Sequence, residues 1–379
     1  MRSKQLSIFS IVVLSILLCL SACSGQSQPS PQNGTVAQSQ RDVTYPGTGS
    51  VTLAGTLVIP AHKVQAKVPG VVIIAGSGPV DRNGNEGTTF ETNLYSQLAD
   101  QLARQGIASL RYDKRGVGAS TPVPLPKNPN NPTPAEIKTI QDFAAWDNYV
   151  EDAKATLNFL QQQPEIDPTR TALVGHSEGS IIAGQVAVMT SGLAHPPAAL
   201  VLISAPGRPI DVVLRDQIAR QLAAQPNIPA DFVLSKYDEI IASLRQTGKP
   251  SVAAFADLQA NKQVPAQFTQ GLETLFIAYN DEFWYGELKV DPAATLKQYP
   301  GPVLILQGAS DIQVSPTKDT PLLDAALKSR TPDDHQTTII PNTSHNMKAV
   351  QDPATDPGIT GLVVPQCTDT LRHWLAEKL

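Results

Sequence analysis

Short apolar runs alternate with amphipathic stretches along most of the chain. The runs have the length and β-branched content typical of buried strands, and the stretches between them place apolar residues at helical spacing. Strands are predicted over 43–45, 51–59, 68–75, 107–112, 172–174, 198–204, 302–307 and 336–340, and helices over 93–104, 135–163, 180–188, 321–328 and 369–379. Because repeated strand–helix units form parallel sheets, the pattern predicts an α/β fold, with a mostly parallel central sheet and helices on both faces.

The alternation is interrupted after Pro206. Residues 211–297 contain several helical patterns, many aromatic side chains and no clear strand. The pattern predicts a helical cap inserted over 207–297, which divides the core into a first part (43–206) and a second part (298–379). The aromatic side chains of such a cap either line an apolar substrate pocket or only pack the cap onto the body, and the sequence leaves both open.

The first 23 residues have the pattern of an export signal. A basic start precedes an uncharged apolar run over 8–20, which is short for a membrane span but typical of a signal peptide. The run ends in Leu-Ser-Ala-Cys at 20–23, which resembles the bacterial lipoprotein signal. The resemblance implies that residues 1–22 are removed and that Cys23 is lipidated. An ordinary secretory signal is the alternative.

The segment that follows predicts a flexible tether over residues 23–42. It is rich in Ser, Gln, Pro and Asn and has almost no large apolar side chain, so it cannot bury enough surface to fold. A lipid on Cys23 would hold the protein on one leaflet without spanning the membrane. We therefore expect an exported protein, lipid-anchored in a bacterial cell envelope on its periplasmic or extracellular face. By the lipoprotein sorting pattern, Ser24 favours the outer membrane in an organism that has one.

Charge and cysteine usage exclude other classes of protein. The net charge is −5 and there is no basic run, so no nucleic-acid partner is expected. Cys19, Cys23 and Cys367 lack the spacing of metal ligands or of a disulfide framework. We expect no metal and no cofactor.

The chemistry centres on Gly-His-Ser-Glu-Gly at residues 175–179, between a predicted strand and a predicted helix. A serine at the apex of such a sharp turn has the geometry of a nucleophile elbow. The turn holds the serine in a strained backbone conformation, and the strand and the helix pass close together. A side chain at either position would collide, which explains Gly175 and Gly179. The pattern makes Ser177 the candidate nucleophile. The alternative is a turn that happens to contain a serine.

Further candidates also follow predicted strands. Ser77 and Gly78 belong to a glycine-rich loop whose backbone N–H groups are free to face a ligand. Asp311 and His345 follow the last two strands, and their side chains should meet Ser177 because ligands bind at the carboxyl ends of parallel strands. Two other acids, Asp333 and Asp334, are less favourably placed competitors for Asp311.

Together, the elbow and the order Ser177, Asp311, His345 resemble the α/β-hydrolase family over roughly residues 50–379, apart from the insertion. The resemblance implies an α/β-hydrolase fold in which His345 takes the proton of Ser177 and Asp311 orients His345. It also implies an oxyanion hole built from the N–H of Glu178 and that of Ser77 or Gly78.

The loop Gly-Ser-Gly-Pro-Val-Asp-Arg-Asn-Gly-Asn at 76–85 and the elbow are similar to those of bacterial esterases within this family. That resemblance implies a carboxylesterase acting on a small-molecule ester. A serine aminopeptidase acting on a short peptide is the alternative, and it needs acids in the cap to bind the substrate amine. Four are available: Glu239, Glu273, Asp281 and Glu282. A non-catalytic, membrane-tethered binding protein is the second alternative.

Several other polar residues receive structural interpretations. We expect His176 to turn away from Ser177 by strand alternation, and the Glu178 side chain to interact with the helix dipole. Arg111 or Arg115 is expected to pair with a buried acid. Asp147 and Asp152 are expected at the surface or as helix caps.

Overall fold

The computed structural model describes residues 34–88, 90–352 and 356–379. The predicted signal peptide, Cys23 and part of the predicted tether lie outside these residues and stay predictions. Within the described ranges, no helix combines the length and the apolar character required to cross a bilayer.

A sheet of eight strands forms the centre of the described chain. Its strands are β1 (Ser39–Pro46), β2 (Thr52–Ile59), β3 (Val68–Ile74), β4 (Ala108–Tyr112), β5 (Ile166–His176), β6 (Ala199–Ile203), β7 (Val303–Gly308) and β8 (His335–Ile340). Their order in space is β8-β7-β6-β5-β3-β4-β2-β1. Strands β3 to β8 run parallel, and the antiparallel pair β1–β2 joins the edge at β4. The predicted mostly parallel sheet is confirmed.

Helices cover both faces of this sheet. One face packs against α1 (Leu94–Arg104) and α12 (Pro365–Lys378), and the other against α3 (Trp146–Gln161), α4 (Glu178–Thr190) and α11 (Thr320–Lys328), with α2 (Pro134–Ala144) preceding α3. Alternate side chains of each strand enter the two layers, since successive residues of a strand point to opposite faces. In β3, Val72 and Ile74 pack into one layer and Val71 and Ile73 into the other.

Between β6 and β7 the chain is helical, as predicted. The elements are α5 (Ile210–Ala223), α6 (Ala230–Thr247), α7 (Val252–Ala260), α8 (Ala266–Leu275), α9 (Asp281–Glu287) and α10 (Pro292–Leu296). Apolar side chains of α5 to α9 form a cluster that also contains Val314, from the loop after β7. The cap is therefore packed against the sheet edge that carries the candidate residues. The domain limits at 206 and 297 stay predictions.

The predicted tether is too long at its C-terminal end. Residues 35–36 pair with 62–63, and β1 begins at Ser39 and pairs with β2 along its whole length. The polar composition is misleading here because β1 is an edge strand whose side chains are mostly solvent-exposed. Arg41 fixes it further by donating to the Glu165 carboxylate at 2.8 Å.

The single helix predicted over 135–163 is also wrong, because the chain breaks at Ala145, whose ψ is 137°. No glycine or proline marks this break, so the periodicity alone could not reveal it. A tertiary contact stabilises the end of α2: the Arg115 guanidinium donates to the carbonyl oxygen of Phe143 at 2.9 Å.

Asp152, predicted to lie at the surface or at a helix cap, is buried instead. Its carboxylate accepts two hydrogen bonds from Arg115, both at 2.8 Å, and one from the N–H of Thr48 at 2.7 Å. Arg115 is thus the arginine that pairs with a buried acid. Burial raises the pKa of Asp152 above its ordinary value despite this partner, so the pair orders the loop after β4 at an electrostatic cost.

We expect Asp152→Ala to lower the free energy of unfolding by about 3–5 kcal/mol, because the Arg115 cation would stay buried without its partner. The matched control is Asp147→Ala, which removes an exposed acid from the first turn of the same helix. It should cost less than about 1 kcal/mol. Urea unfolding of both variants measures the difference, and equal losses would contradict the role assigned to the buried pair.

Candidate active site

Ser177 stands on a strained turn between β5 and α4, with φ 54° and ψ −127°. A non-glycine residue adopts such a backbone only where the surroundings impose it. A Cβ at Gly175 would lie 2.4 Å from the carbonyl oxygen of Gly179, and one at Gly179 would lie 2.3 Å from that of Ile74. The predicted strand, turn and helix are confirmed, with the collisions that explain both glycines.

Asp311 and His345 meet at the ends of β7 and β8. The Nδ1 atom of His345 donates to Oδ2 of Asp311 at 2.8 Å, since a carboxylate can only accept. Asp311 also accepts the N–H groups of Gln313 at 2.7 Å and Val314 at 2.9 Å. Burial would raise the pKa of Asp311, but the facing His345 and these N–H donors outweigh it and the pKa lies below its ordinary value.

The two competing acids are engaged elsewhere. Asp333 contacts His335, and Asp334 accepts from the Lys378 ammonium at 3.1 Å. Ser177 and His345 border one cavity of about 330 Å³, here named the serine cavity, whose wall also includes Ser77, Pro206 and Gln313. The structure therefore brings the three predicted side chains to one place, with Asp311 behind His345.

Two unpaired backbone N–H groups lie beside Ser177. Those of Ser77 and Glu178 make no hydrogen bond within the part of the chain that the structure describes. The N–H of Gly76, in contrast, donates to the Tyr95 hydroxyl at 3.0 Å. Ser77 borders the serine cavity and Gly78 does not, which favours Ser77 over Gly78 as the second predicted oxyanion donor.

The contacts of the His176 ring are what sequence reasoning missed. Its ring contacts Tyr95 of α1, on the face of the sheet where Val174 also packs, as strand alternation predicts, and His176 also borders the serine cavity. Its Nε2 lies 3.0 Å from the carbonyl oxygen of His345, and its Nδ1 lies 3.0 Å from the Tyr95 hydroxyl. A carbonyl only accepts, so Nε2 carries the proton and Nδ1 accepts from Tyr95.

These bonds form a chain with one direction. The Gly76 N–H donates to Tyr95, Tyr95 donates to His176, and His176 donates to His345. Burial, reinforced by the nearby His345, lowers the pKa of His176 to about 3, which keeps its ring neutral as the chain requires. The chain joins the glycine-rich loop to the loop of His345, a link between distant residues that no local sequence pattern indicates.

The Glu178 side chain does more than face the helix dipole. Its carboxylate lies 3.6 Å from the Lys114 ammonium, which donates to the carbonyl oxygen of Gly76. Glu287, from α9, is buried, and neither of its carboxyl oxygens has a hydrogen-bond partner among the residues that the structure describes. Burial, with the Glu178 charge adding to it, raises the pKa of Glu287 well above its ordinary value. In the described ranges, no cluster of His, Cys, Asp or Glu could hold a metal ion.

Residues 71–356 match the sequence profile of the alpha/beta hydrolase family. The chain belongs to this family. Its architecture agrees: a hypothetical protein from Pseudomonas aeruginosa aligns with a TM-score of 0.53 at 15% identity over 90% of this chain and 94% of that one. Proline iminopeptidase from Mycobacterium smegmatis aligns with a TM-score of 0.50 at 18% identity over 89% and 98%.

A curated relative is an esterase by name. The chain is 23% identical over 276 residues to esterase EstD of Thermotoga maritima, an alignment that covers 73% of this chain and 53% of EstD. The chain therefore spans about half the length of the curated relatives it matches.

The buried neutral His176 predicts a pH dependence of stability. Below its ordinary pKa of 6.5 the unfolded chain takes up a proton that the folded chain refuses until about pH 3, so stability is lost as the pH falls through this window. Between pH 7 and pH 5 the wild type should lose about 2 kcal/mol more than His176→Gln. Urea unfolding of both proteins at the two pH values gives the comparison, and parallel losses would contradict a neutral His176.

Proposed function

We propose that this alpha/beta hydrolase cleaves carboxylic esters through an acyl-enzyme formed on Ser177. The observation that carries the proposal is a serine on a strained turn and an imidazole oriented by a buried carboxylate at one cavity, next to two N–H groups, of Ser77 and Glu178, that are unpaired within the described residues. A serine hydroxyl is a poor nucleophile without a base, and His345 supplies one.

In the proposed reaction, Nε2 of His345 takes the hydroxyl proton while Oγ of Ser177 bonds to the ester carbonyl carbon. The negative charge that develops on the carbonyl oxygen is stabilised by the N–H groups of Ser77 and Glu178. The bond to the alkoxy oxygen then breaks, and His345 returns the proton to the departing alcohol. A water molecule releases the acid by the same two steps.

Asp311 keeps this base in the productive tautomer. With Nδ1 donating to Asp311, the free lone pair of the neutral ring is on Nε2. The carboxylate also stabilises the imidazolium that forms during attack. Because several donors hold the Asp311 pKa below its ordinary value, the acid is charged when it performs this role.

The position of the cap acids supports an ester over an aminopeptide substrate. An aminopeptidase needs a carboxylate beside the substrate amine, and none of the four cap candidates borders a described cavity at Ser77 or Ser177. Lys236 pairs with Glu239, and Gln259 contacts Glu273. The resemblance to EstD, an esterase by name, points in the same direction.

Hydrolysis of 4-nitrophenyl acetate by the full chain tests this proposal. Ser177→Ala should lower kcat by about 10⁶-fold, and Asp311→Asn by about 10⁴-fold because the amide favours the wrong tautomer of His345. Asp333→Asn, a change of the same kind at a competing acid, should leave kcat within about twofold. Turnover that survives in Ser177→Ala would contradict the proposed nucleophile.

An amino-acid 4-nitroanilide, assayed beside the ester, separates the alternatives. Turnover of the anilide alone would favour the aminopeptidase. Failure to hydrolyse either substrate would favour the non-catalytic binding protein. Turnover of the ester, abolished in Ser177→Ala, is the result that the proposed mechanism requires.

We also propose export and lipid anchoring through Cys23, which lies outside the described residues. The support is the Leu-Ser-Ala-Cys sequence behind an apolar run. Cells expressing the full chain should incorporate an alkyne-tagged fatty acid into it, and Cys23→Ser should abolish this labelling, whereas Cys19→Ser should not. Labelling that persists in Cys23→Ser would contradict the anchor.

A further inference from the structure

A second cavity opens next to the serine cavity. It has a volume of about 310 Å³ and is here named the aromatic cavity, after Tyr149, Phe283 and Trp284 in its wall. It shares Ser77, Ile210 and Leu214 with the serine cavity. The candidate oxyanion donor Ser77 therefore lies at the junction, with one cavity on either side.

The aromatic walls are held in place by their own contacts. The Phe283 ring packs edge-on against Tyr149 at 5.6 Å and against Trp284 at 5.4 Å between ring centroids. The indole N–H of Trp284 donates to the carbonyl oxygen of Leu275 at 2.7 Å. Rings that are already fixed lose little freedom when a ligand packs on them, so this cavity is preorganised for an apolar occupant. Phe283 and Trp284 of the cap thus do both things that the sequence left open: they pack against neighbouring rings and they line a cavity.

The position of His345 decides which half of an ester lies on each side. The leaving alkoxy oxygen must receive a proton from His345, so the alcohol lies where His345 is exposed. His345 borders the serine cavity and is not part of the aromatic cavity wall. With the carbonyl oxygen at Ser77, the acyl chain extends to the other side of the junction, into the aromatic cavity.

We propose that the aromatic cavity is the acyl subsite and that it selects esters whose acyl group carries an uncharged ring. This inference rests on the proposed ester hydrolysis and adds the class of substrate. A dry cavity of about 150 Å³ accommodates benzene, so the aromatic cavity has room for a ring and a short linker. Edge-to-face contacts with fixed rings add about 0.5–1.5 kcal/mol to the burial of such a group.

The polar part of the wall favours an uncharged acyl group. Lys114 and Glu178 both border the aromatic cavity, but they lie 3.6 Å apart, and Lys114 also donates to the carbonyl oxygen of Gly76. Each of these two charges already has a partner, and Arg115, the third charged residue of this wall, is paired with Asp152. A carboxylate on the substrate would have to compete with Glu178, and an amine would have to compete with Lys114.

The test compares two 4-nitrophenyl esters that differ in the acyl group, 3-phenylpropanoate and acetate, with the full chain. The wild type should show a kcat/KM at least about tenfold higher for the ring-bearing ester. Ala144→Phe adds a ring at the wall of the aromatic cavity and should reduce this ratio by about tenfold or more. Val117→Phe, on a loop of the same wall, should do the same if Ala144→Phe fails to fold.

The matched control is Gln217→Phe, which adds the same ring at the wall of the serine cavity. It should leave the acyl ratio, which is kcat/KM for the 3-phenylpropanoate ester divided by that for the acetate ester, unchanged. It should lower the ratio of kcat/KM for 2-naphthyl acetate to that for 4-nitrophenyl acetate. An acyl ratio that responds to Gln217→Phe and not to Ala144→Phe would overturn the acyl assignment while leaving ester hydrolysis in place. A wild-type acyl ratio near one would overturn the ring preference. A wild type that hydrolyses neither ester would instead refute the proposed function.

Discussion

The close approach of β5, α4 and β3 is the constraint on which the site depends. At Gly175 and Gly179 the backbone of one element occupies the space of a missing side chain on another. This packing imposes the strained turn at Ser177, which the N–H of Ser177 reinforces by donating to the carbonyl oxygen of Ile203 on β6 at 2.9 Å. A serine on this turn stands at the start of α4, where unpaired N–H groups are available.

Hydrogen bonds connect the loop of His345 and the loop of Ser77 to the same turn. His176, the residue before Ser177, donates to the carbonyl oxygen of His345, and the Ser204 hydroxyl donates to that oxygen at 2.8 Å. Through Tyr95 the same imidazole reaches Gly76, next to Ser77. The proposed base and the proposed oxyanion donor are therefore positioned by bonds to one buried, neutral ring. Preorganisation of this kind is what stabilisation of a developing charge requires.

Local features of the sequence were sufficient for much of this structure. The parallel sheet follows from apolar runs, and the elbow follows from two glycines around a serine. Asp311 and His345 are predictable because each follows a strand, so that sheet topology brings them together. Their roles stay predictions, although their contact was anticipated.

The features that were missed depend on contacts between distant residues. The break at Ala145 carries no glycine or proline, and a guanidinium from another loop stabilises the helix end before it. An aspartate such as Asp152 is expected at the surface, and only its distant partner Arg115 explains its burial. The predicted tether extends too far because β1 is an edge strand, and an edge strand needs few apolar residues. Whether the cap rings lined a pocket could not be read from periodicity, since the answer depends on how α9 packs on α3.

The central claim is that Ser177 is a nucleophile activated by His345. Labelling of the full chain with a fluorophosphonate probe, followed by mass spectrometry of the peptides, tests it most directly. The account predicts one adduct, on Ser177, whose rate of formation falls strongly in Asp311→Asn. An adduct on another serine, or labelling of Ser177 that proceeds equally fast in Asp311→Asn, would contradict it.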